Sequence, residues 1–256
     1  MPAEPLNGQP AGFFGKLPAR GDFVTRRLTR AFVDAWDAWL QEAMTASREA
    51  LGEGWLDLYL TAPIWRFALA PGVCAPDGIA GVLMPSVDSV GRYYPLTIAQ
   101  STGAAPPTAL LAEPVAGWFE AAEEVALSAL ADAFDFDGFD RDVGALGMPA
   151  PAVAPTSLAA GRDVEEHRST GVGWQLTGTP AEAARRFLHV VLRGRHGAYG
   201  LWWSAGSEQV EPSLLVSRGM PPPAGFAAFL DGAWQAHGWW GEEGIVRDFV
   251  SPGAAP

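Results

Sequence analysis

Residues 62–100 read APIWRFALAPGVCAPDGIAGVLMPSVDSVGRYYPLTIAQ, and they give the strongest indication of the fold class. It contains three apolar runs of strand length, at 62–70, 78–84 and 94–100. Gly, Pro and Asp separate the runs, and these residues favour turns. Because the connections are short, neighbouring runs pair with each other, and the stretch predicts an antiparallel meander.

The segments around this meander carry apolar residues at intervals of three and four, which is typical of helices. The clearest helix spans 32–51, and its apolar stripe predicts that Trp36, Trp39 and Leu40 are buried against the sheet. Helices before, between and after strands predict an α/β fold in which a mixed, largely antiparallel sheet is covered on both faces. The further predicted helices are 114–131, 180–192 and 223–237, and the further predicted strands are 172–177, 198–204 and 213–217.

The domain organisation is simple, because no linker marks a clean boundary between two domains, and the Pro/Ala/Gly-rich residues 144–162 are expected to form an exposed loop. We therefore predict one domain over residues 12–245. Residues 1–11 are rich in Pro and Gly and are expected to form a flexible tail. A second flexible tail is expected at 246–256.

The net charge excludes several classes of partner. The chain of 256 residues has a formal net charge of −12, which disfavours binding to nucleic acid and to anionic membrane surfaces. No run of 18 uncharged apolar residues exists, so no membrane insertion is expected. The single cysteine, Cys74, excludes an intrachain disulfide. The start of the chain lacks the pattern of a secretory signal, and a cytoplasmic location is the simplest expectation.

No catalytic or metal-binding motif is complete. Gly15 and Lys16 are similar to the end of a phosphate-binding loop, but Leu17 stands where that loop requires Ser or Thr. The acidic run 132–142 fails the calcium-loop pattern at both its first and last ligand positions, and a solvated acidic face is the better interpretation. No histidines have metal-ligand spacing, and no serine has the Gly-x-Ser-x-Gly environment. We expect no catalytic residue, no metal and no cofactor.

Two loops concentrate charge within apolar surroundings. The loop 15–23 contains Lys16, Arg20 and Asp22, and the loop 85–92 contains Asp88 and Arg92. Charges near strand ends require partners or solvent. Asp88 can pair with Arg92 inside its own loop. Alternatively, Lys16 or Arg20 pairs with Asp88 while Asp22 pairs with Arg92. The second arrangement predicts that the loops are neighbours on one rim of the sheet and form one polar patch, which makes these five residues candidates for partner binding.

Four segments of the chain have distinctive sequences: GFFGKLPARGDFV (12–24), FVDAWDAWL (32–40), PSVDSVGRYYPL (85–96) and LWWSAGS (201–207). In their order and spacing they resemble the TagF (ImpM) family of type VI secretion-associated proteins. The resemblance implies a three-layer α/β/α sandwich and a cytoplasmic accessory protein, in some members a post-translational repressor of assembly. It also implies a protein partner, the forkhead-associated Fha scaffold. It implies no catalytic residue.

Three functions follow as hypotheses. The first is a regulator that represses type VI secretion by binding a component such as Fha. The second is an enzyme with a site assembled in space from Lys16, Asp88 and Arg92, which requires a deep cleft with carboxylates of raised pKa. The third is a structural subunit of the secretion apparatus. The sequence does not determine the oligomeric state.

Overall fold

Seven strands form one sheet in the computed structural model, which describes residues 9–149 and 175–245. The order across the sheet is β2-β1-β5-β4-β3-β6-β7, and every adjacent pair is antiparallel. The predicted meander is confirmed as β3–β4–β5. The parallel pairing that a mixed sheet requires does not occur between the described strands. The strands are β1 (Gly12–Gly15), β2 (Val24–Arg26), β3 (Trp65–Leu69), β4 (Gly78–Met84), β5 (Leu96–Gly103), β6 (Tyr199–Ser204) and β7 (Ser213–Arg218).

Helices cover both faces of the sheet, so the three-layer α/β/α arrangement is confirmed. One face packs against α1, α2 and the segment around α6, and the other packs against α3, α4 and α5. The helices are α1 (Arg30–Leu51), α2 (Trp55–Thr61), α3 (Glu113–Ser128), α4 (Phe136–Ala145), α5 (Pro180–His196) and α6 (Ala228–Asp231). Short 3-10 turns lie at Gly52–Gly54, Pro107–Leu111, Pro223–Ala227 and Gln235–His237. None of the helices within the described ranges is long and apolar enough to cross a bilayer.

Helix α1 is specified locally at both ends. The Thr29 side chain accepts a hydrogen bond from the backbone N–H of Phe32, which satisfies one free donor of the first turn. Gly52 ends the helix with a φ of 56°, a conformation that glycine adopts without strain. The apolar stripe buries Trp36, Trp39 and Leu40, as predicted.

An aromatic cluster joins α1 to the centre of the sheet. The Trp36 ring lies 4.6 Å from the ring of Phe67 on β3 and 5.8 Å from that of Trp202 on β6, centroid to centroid. The Trp39 ring lies 5.4 Å from Trp202. We call Trp36, Trp39, Phe67 and Trp202 the aromatic core. The next residue on β6, Trp203, packs against Phe119 of α3 on the opposite face, as strand geometry requires.

Several predicted elements differ from the structure. The sequence analysis assigned no helix or strand to residues 12–15, 24–26 and 55–61, which form β1, β2 and α2. The predicted helix 223–237 is broken, because Gly232 adopts a left-handed conformation after α6. Residues 175–177 are not a strand, and the rest of the predicted strand 172–177 lies outside the described residues.

The predicted tails are placed only in small part. Residues 1–8 and 246–256 lie outside the described residues. Within the remainder of the N-terminal tail, Ala11 is fully buried, and the Gln9 carbonyl accepts a hydrogen bond from the Gln100 side chain at 2.6 Å. The chain is therefore attached to β5 three residues before β1 begins.

Candidate functional site

The two charged loops lie side by side at one rim of the sheet. Loop 16–23 connects β1 to β2, and loop 85–95 connects β4 to β5. Because β1 and β4 both pair with β5, their ends meet at the same edge. The backbone N–H of Ser89 donates to the Arg20 carbonyl at 3.1 Å. The predicted adjacency of the loops is confirmed.

Three side chains from these loops form an ion cluster, which we define as Lys16, Asp88 and Arg92. The Lys16 ammonium donates to Oδ2 of Asp88, and Arg92 Nε donates to the same oxygen at 2.6 Å. Oδ1 of Asp88 accepts from the backbone N–H groups of Val90 at 3.0 Å and Arg92 at 2.8 Å. The pairing inside the loop and the pairing between loops therefore coexist, and one carboxylate serves both.

The remaining two predicted residues lie at the outer side of this cluster. Asp22 is fully exposed and lies 4.0 Å from the Arg92 guanidinium, which also donates to the carbonyl of Gly21. Arg20 does not approach Asp88. Its guanidinium lies over the ring of Phe136, at 4.3 Å from the centroid, so the alternative that placed Arg20 on Asp88 is wrong.

Burial divides the five candidates into two groups. Lys16 and Asp88 are almost completely buried, and their side chains hold the loops together without being able to contact a partner. Arg20, Asp22 and Arg92 are exposed. Of the five, only the exposed residues are accessible at this rim, and the buried pair fixes the position of the loops that carry them.

The electrostatics of Asp88 follow from its hydrogen bonds. Burial alone would raise its pKa, but the hydrogen bonds from Lys16 and Arg92 outweigh this effect and hold the pKa well below its usual range. The carboxylate stays ionised throughout the physiological range. A general acid requires a pKa shifted in the opposite direction, towards neutrality.

A layer of uncharged groups supports the cluster from below, and the sequence did not indicate it. The Tyr59 hydroxyl on α2 donates to the Ser86 carbonyl at 2.8 Å and accepts from the Ser86 N–H at 2.9 Å. The Ser86 hydroxyl donates to the carbonyl of Lys16 at 2.8 Å. Burial raises the pKa of Tyr59, so the hydroxyl keeps its proton. Tyr59 was missed because α2 itself was missed.

Close contact between backbones explains the glycine at the start of the first loop. Gly15 has a φ of 134°, and a Cβ atom there would lie 2.1 Å from the carbonyl oxygen of Pro95. No other residue fits without moving β1 away from β5. The glycine therefore sets the spacing between the two loops.

The acidic run 132–142 is an amphipathic segment. Its aromatic residue Phe139 is buried against Phe13 of β1, with 5.0 Å between ring centroids. Asp135 caps α4 by accepting from the N–H of Asp137, and Asp140 pairs with Arg27 at 2.7 Å. Within residues 9–149 and 175–245, no group of three or more His, Cys, Asp or Glu side chains has the geometry to hold a metal ion.

Comparisons with known proteins agree on one relationship. Residues 12–146 match the sequence pattern described as the TagF N-terminal domain, type VI secretion system-associated. The chain is also similar to PA0076 from Pseudomonas aeruginosa, a protein of known crystal structure. The two share 38% sequence identity and a TM-score of 0.72, over 87% of this chain and 94% of that one. A search of curated proteins found no match.

Proposed function

Because the chain belongs to the TagF family of type VI secretion-associated proteins, we propose that it is a cytoplasmic regulator that represses assembly of the secretion machine. It acts by binding a protein component, the forkhead-associated Fha scaffold, and not by catalysis. The rim formed by loops 16–23 and 85–95 is the binding surface.

The observation that supports this proposal most strongly is the ion cluster. Two loops that carry segments typical of the family are locked together by the buried pair of Lys16 and Asp88. A surface that is rigid before binding loses less conformational entropy when a partner docks. The exposed side chains Arg20, Asp22 and Arg92 are then held in a defined arrangement for a protein partner.

The direction of the Asp88 pKa supports binding over catalysis. The enzyme hypothesis requires a carboxylate of raised pKa at this rim, and the pKa of Asp88 is lowered. The cavity beside the first loop, about 320 Å³, lies at the low end of the range for small-molecule sites.

The experiment is a direct binding measurement between the purified protein and purified Fha by isothermal titration calorimetry. Val90→Asp places a charge at an apolar side chain that is 69% exposed at the rim and is expected to weaken binding about tenfold, a change of about 1.4 kcal/mol. The matched control is Leu127→Asp, which places the same charge at an exposed apolar side chain of α3. Equal effects of the two variants would remove the rim from the proposal.

A genetic test addresses repression. Deletion of the gene is expected to raise type VI secretion, and the wild-type chain, but not Val90→Asp, is expected to restore repression. Unchanged secretion after deletion, together with stoichiometric amounts of the chain in purified assemblies, would instead identify a structural subunit.

A further inference from the structure

We propose that Arg20 and Arg26 form a recognition site for a segment of the partner protein that is rich in Asp and Glu. This inference rests on the proposed function and names the chemistry of the surface that the partner presents. The two arginines line an open cavity of about 320 Å³ between the β1–β2 loop and α4. Phe23 and Phe136 form the apolar part of its wall.

The segment that supplies both arginines has a charge opposite to that of the whole chain. The formal net charge is −12, yet residues 16–30 contain five basic residues and one acidic residue. On the α4 side of the cavity, Asp135 and Asp137 flank Phe136 and are exposed. Attraction for an acidic partner is therefore confined to the two arginines, which favours one docking orientation.

Three of the five basic side chains are neutralised by carboxylates within the chain. Lys16 pairs with Asp88, Arg27 with Asp140, and Arg30 with Asp34. Arg20 and Arg26 are the two that have no carboxylate partner within residues 9–149 and 175–245. Asp22, the acidic residue of this segment, also lines the cavity, and its carboxylate lies 4.0 Å from the Arg92 guanidinium.

An aromatic ring brings the two unpaired charges together. The guanidinium carbon of Arg20 lies 4.3 Å, and that of Arg26 5.5 Å, from the ring centroid of Phe136. Cation–π attraction holds each group near the ring but does not neutralise it. Two neighbouring guanidinium groups repel each other, and an anionic ligand removes that repulsion. Their planar donor sets match the two oxygens of a carboxylate.

The composition of the site favours a protein segment as the source of the carboxylates. Arginine and aromatic side chains are enriched at the centres of protein interfaces, and lysine is depleted. Phe23 is 48% exposed beside Arg20, and its ring is fixed by contacts with Phe14 and Tyr94 at 5.7 and 4.8 Å between centroids. It offers an apolar anchor next to the two charges.

The test uses a fluorescein-labelled hexaglutamate peptide and the full chain, with binding followed by fluorescence anisotropy at low salt. The double variant Arg20→Gln, Arg26→Gln is expected to weaken binding at least about tenfold, since it removes both charges but keeps side chains over Phe136. Arg30→Gln is the matched control, because Arg30 belongs to the same segment but lies outside the cavity. Equal loss in the control, or no loss in the double variant, would overturn the proposal. So would displacement of the peptide by inorganic phosphate but not by free glutamate.

Parallel measurements with purified Fha separate this inference from the proposed function. Weaker Fha binding by the double variant supports both. Unchanged Fha binding by the double variant overturns the inference and leaves the proposed function in place. If Fha binds neither protein while hexaglutamate still requires Arg20 and Arg26, the recognition site stands and the proposed partner is wrong.

Discussion

The aromatic core and the ion cluster both join segments that are far apart in sequence, but they do so through different kinds of interaction. In the aromatic core, Trp36, Phe67 and Trp202 gain stability from burial, which is large and weakly directional. In the ion cluster, Lys16 and Asp88 exchange hydration for hydrogen bonds of fixed geometry, so the net stabilisation is smaller. The core therefore holds the layers together, whereas the cluster determines where the rim lies.

The largest effect is expected from Trp202→Ala. This change opens a cavity between α1 and the sheet and is expected to lower the free energy of unfolding by about 3–5 kcal/mol, measured by urea denaturation. Trp202→Phe is expected to lower it by only about 1 kcal/mol. It keeps most of the ring and removes an indole N–H that is buried without a partner among the described residues. A small effect of Trp202→Ala would show that the aromatic core does not join the layers.

The second effect is expected from Asp88→Asn, which leaves the buried Lys16 ammonium without its carboxylate. The variant is expected to be less stable than the wild type at neutral pH, with a deficit below that of Trp202→Ala. The low pKa of Asp88 contributes stability above the usual carboxyl pKa of about 4, and this contribution is lost as the pH falls below that value. Denaturation at several pH values should therefore show the deficit shrinking in acid. A deficit that does not depend on pH would contradict the ionised state of Asp88.

A smaller effect is expected from Lys16→Met, because Asp88 keeps Arg92 and two backbone N–H donors. We expect a loss of about 1–3 kcal/mol in the free energy of unfolding. The loops should also become more mobile, which faster amide hydrogen exchange at residues 88–92 would report. Arg30→Met, at an exposed basic position on α1, is the control; it should cost no more than about 0.5 kcal/mol and leave amide exchange at residues 88–92 unchanged.

The smallest effect is expected from Asp34→Asn. Asp34 and Arg30 form an exposed pair one helical turn apart at 3.4 Å. Solvent screens such pairs, and the loss should not exceed about 0.5 kcal/mol in thermal or urea denaturation. A loss comparable to that of Lys16→Met would show that burial is not what distinguishes the ion cluster from a surface pair.

Regular apolar patterns made most of the fold predictable from the sequence. The stripe of α1 is long enough to specify a helix and its buried face. The continuous apolar runs of β3 and β4, which are buried on both faces, are long enough to specify strands. Strand β1 has only four residues, and its identity depends on pairing with β5, which is remote in sequence. Helix α2 has seven residues and shows barely two turns of periodicity. Short elements are determined by tertiary contacts that a local pattern does not contain.

The sequence predicted which charged residues belong to the candidate site but not how they are arranged. Charged residues within apolar loops indicated that Lys16, Asp88 and Arg92 need partners, and they do pair. The sequence did not indicate that one carboxylate accepts from both cations, or that Arg20 leaves Asp88 for Phe136. The position of Arg20 depends on Phe136 at the start of α4, and the sequence analysis predicted no helix in the acidic run 132–142. Tyr59 and Ser86 left no recognisable signal, because single uncharged residues form no motif.

Strand β3 lies between β4, which follows it closely, and β6, which comes from near the other end of the chain. During synthesis on the ribosome, β3 and β4 emerge well before β6. The chain is synthesised at roughly 5–20 residues per second, so one edge of β3 stays unpaired for many seconds. During this time Phe67 lacks its contact with the ring of Trp202. An unpaired apolar edge is a template for association with other chains. The nascent protein is therefore most exposed to association with other chains, and most in need of chaperones, before β6 has been translated.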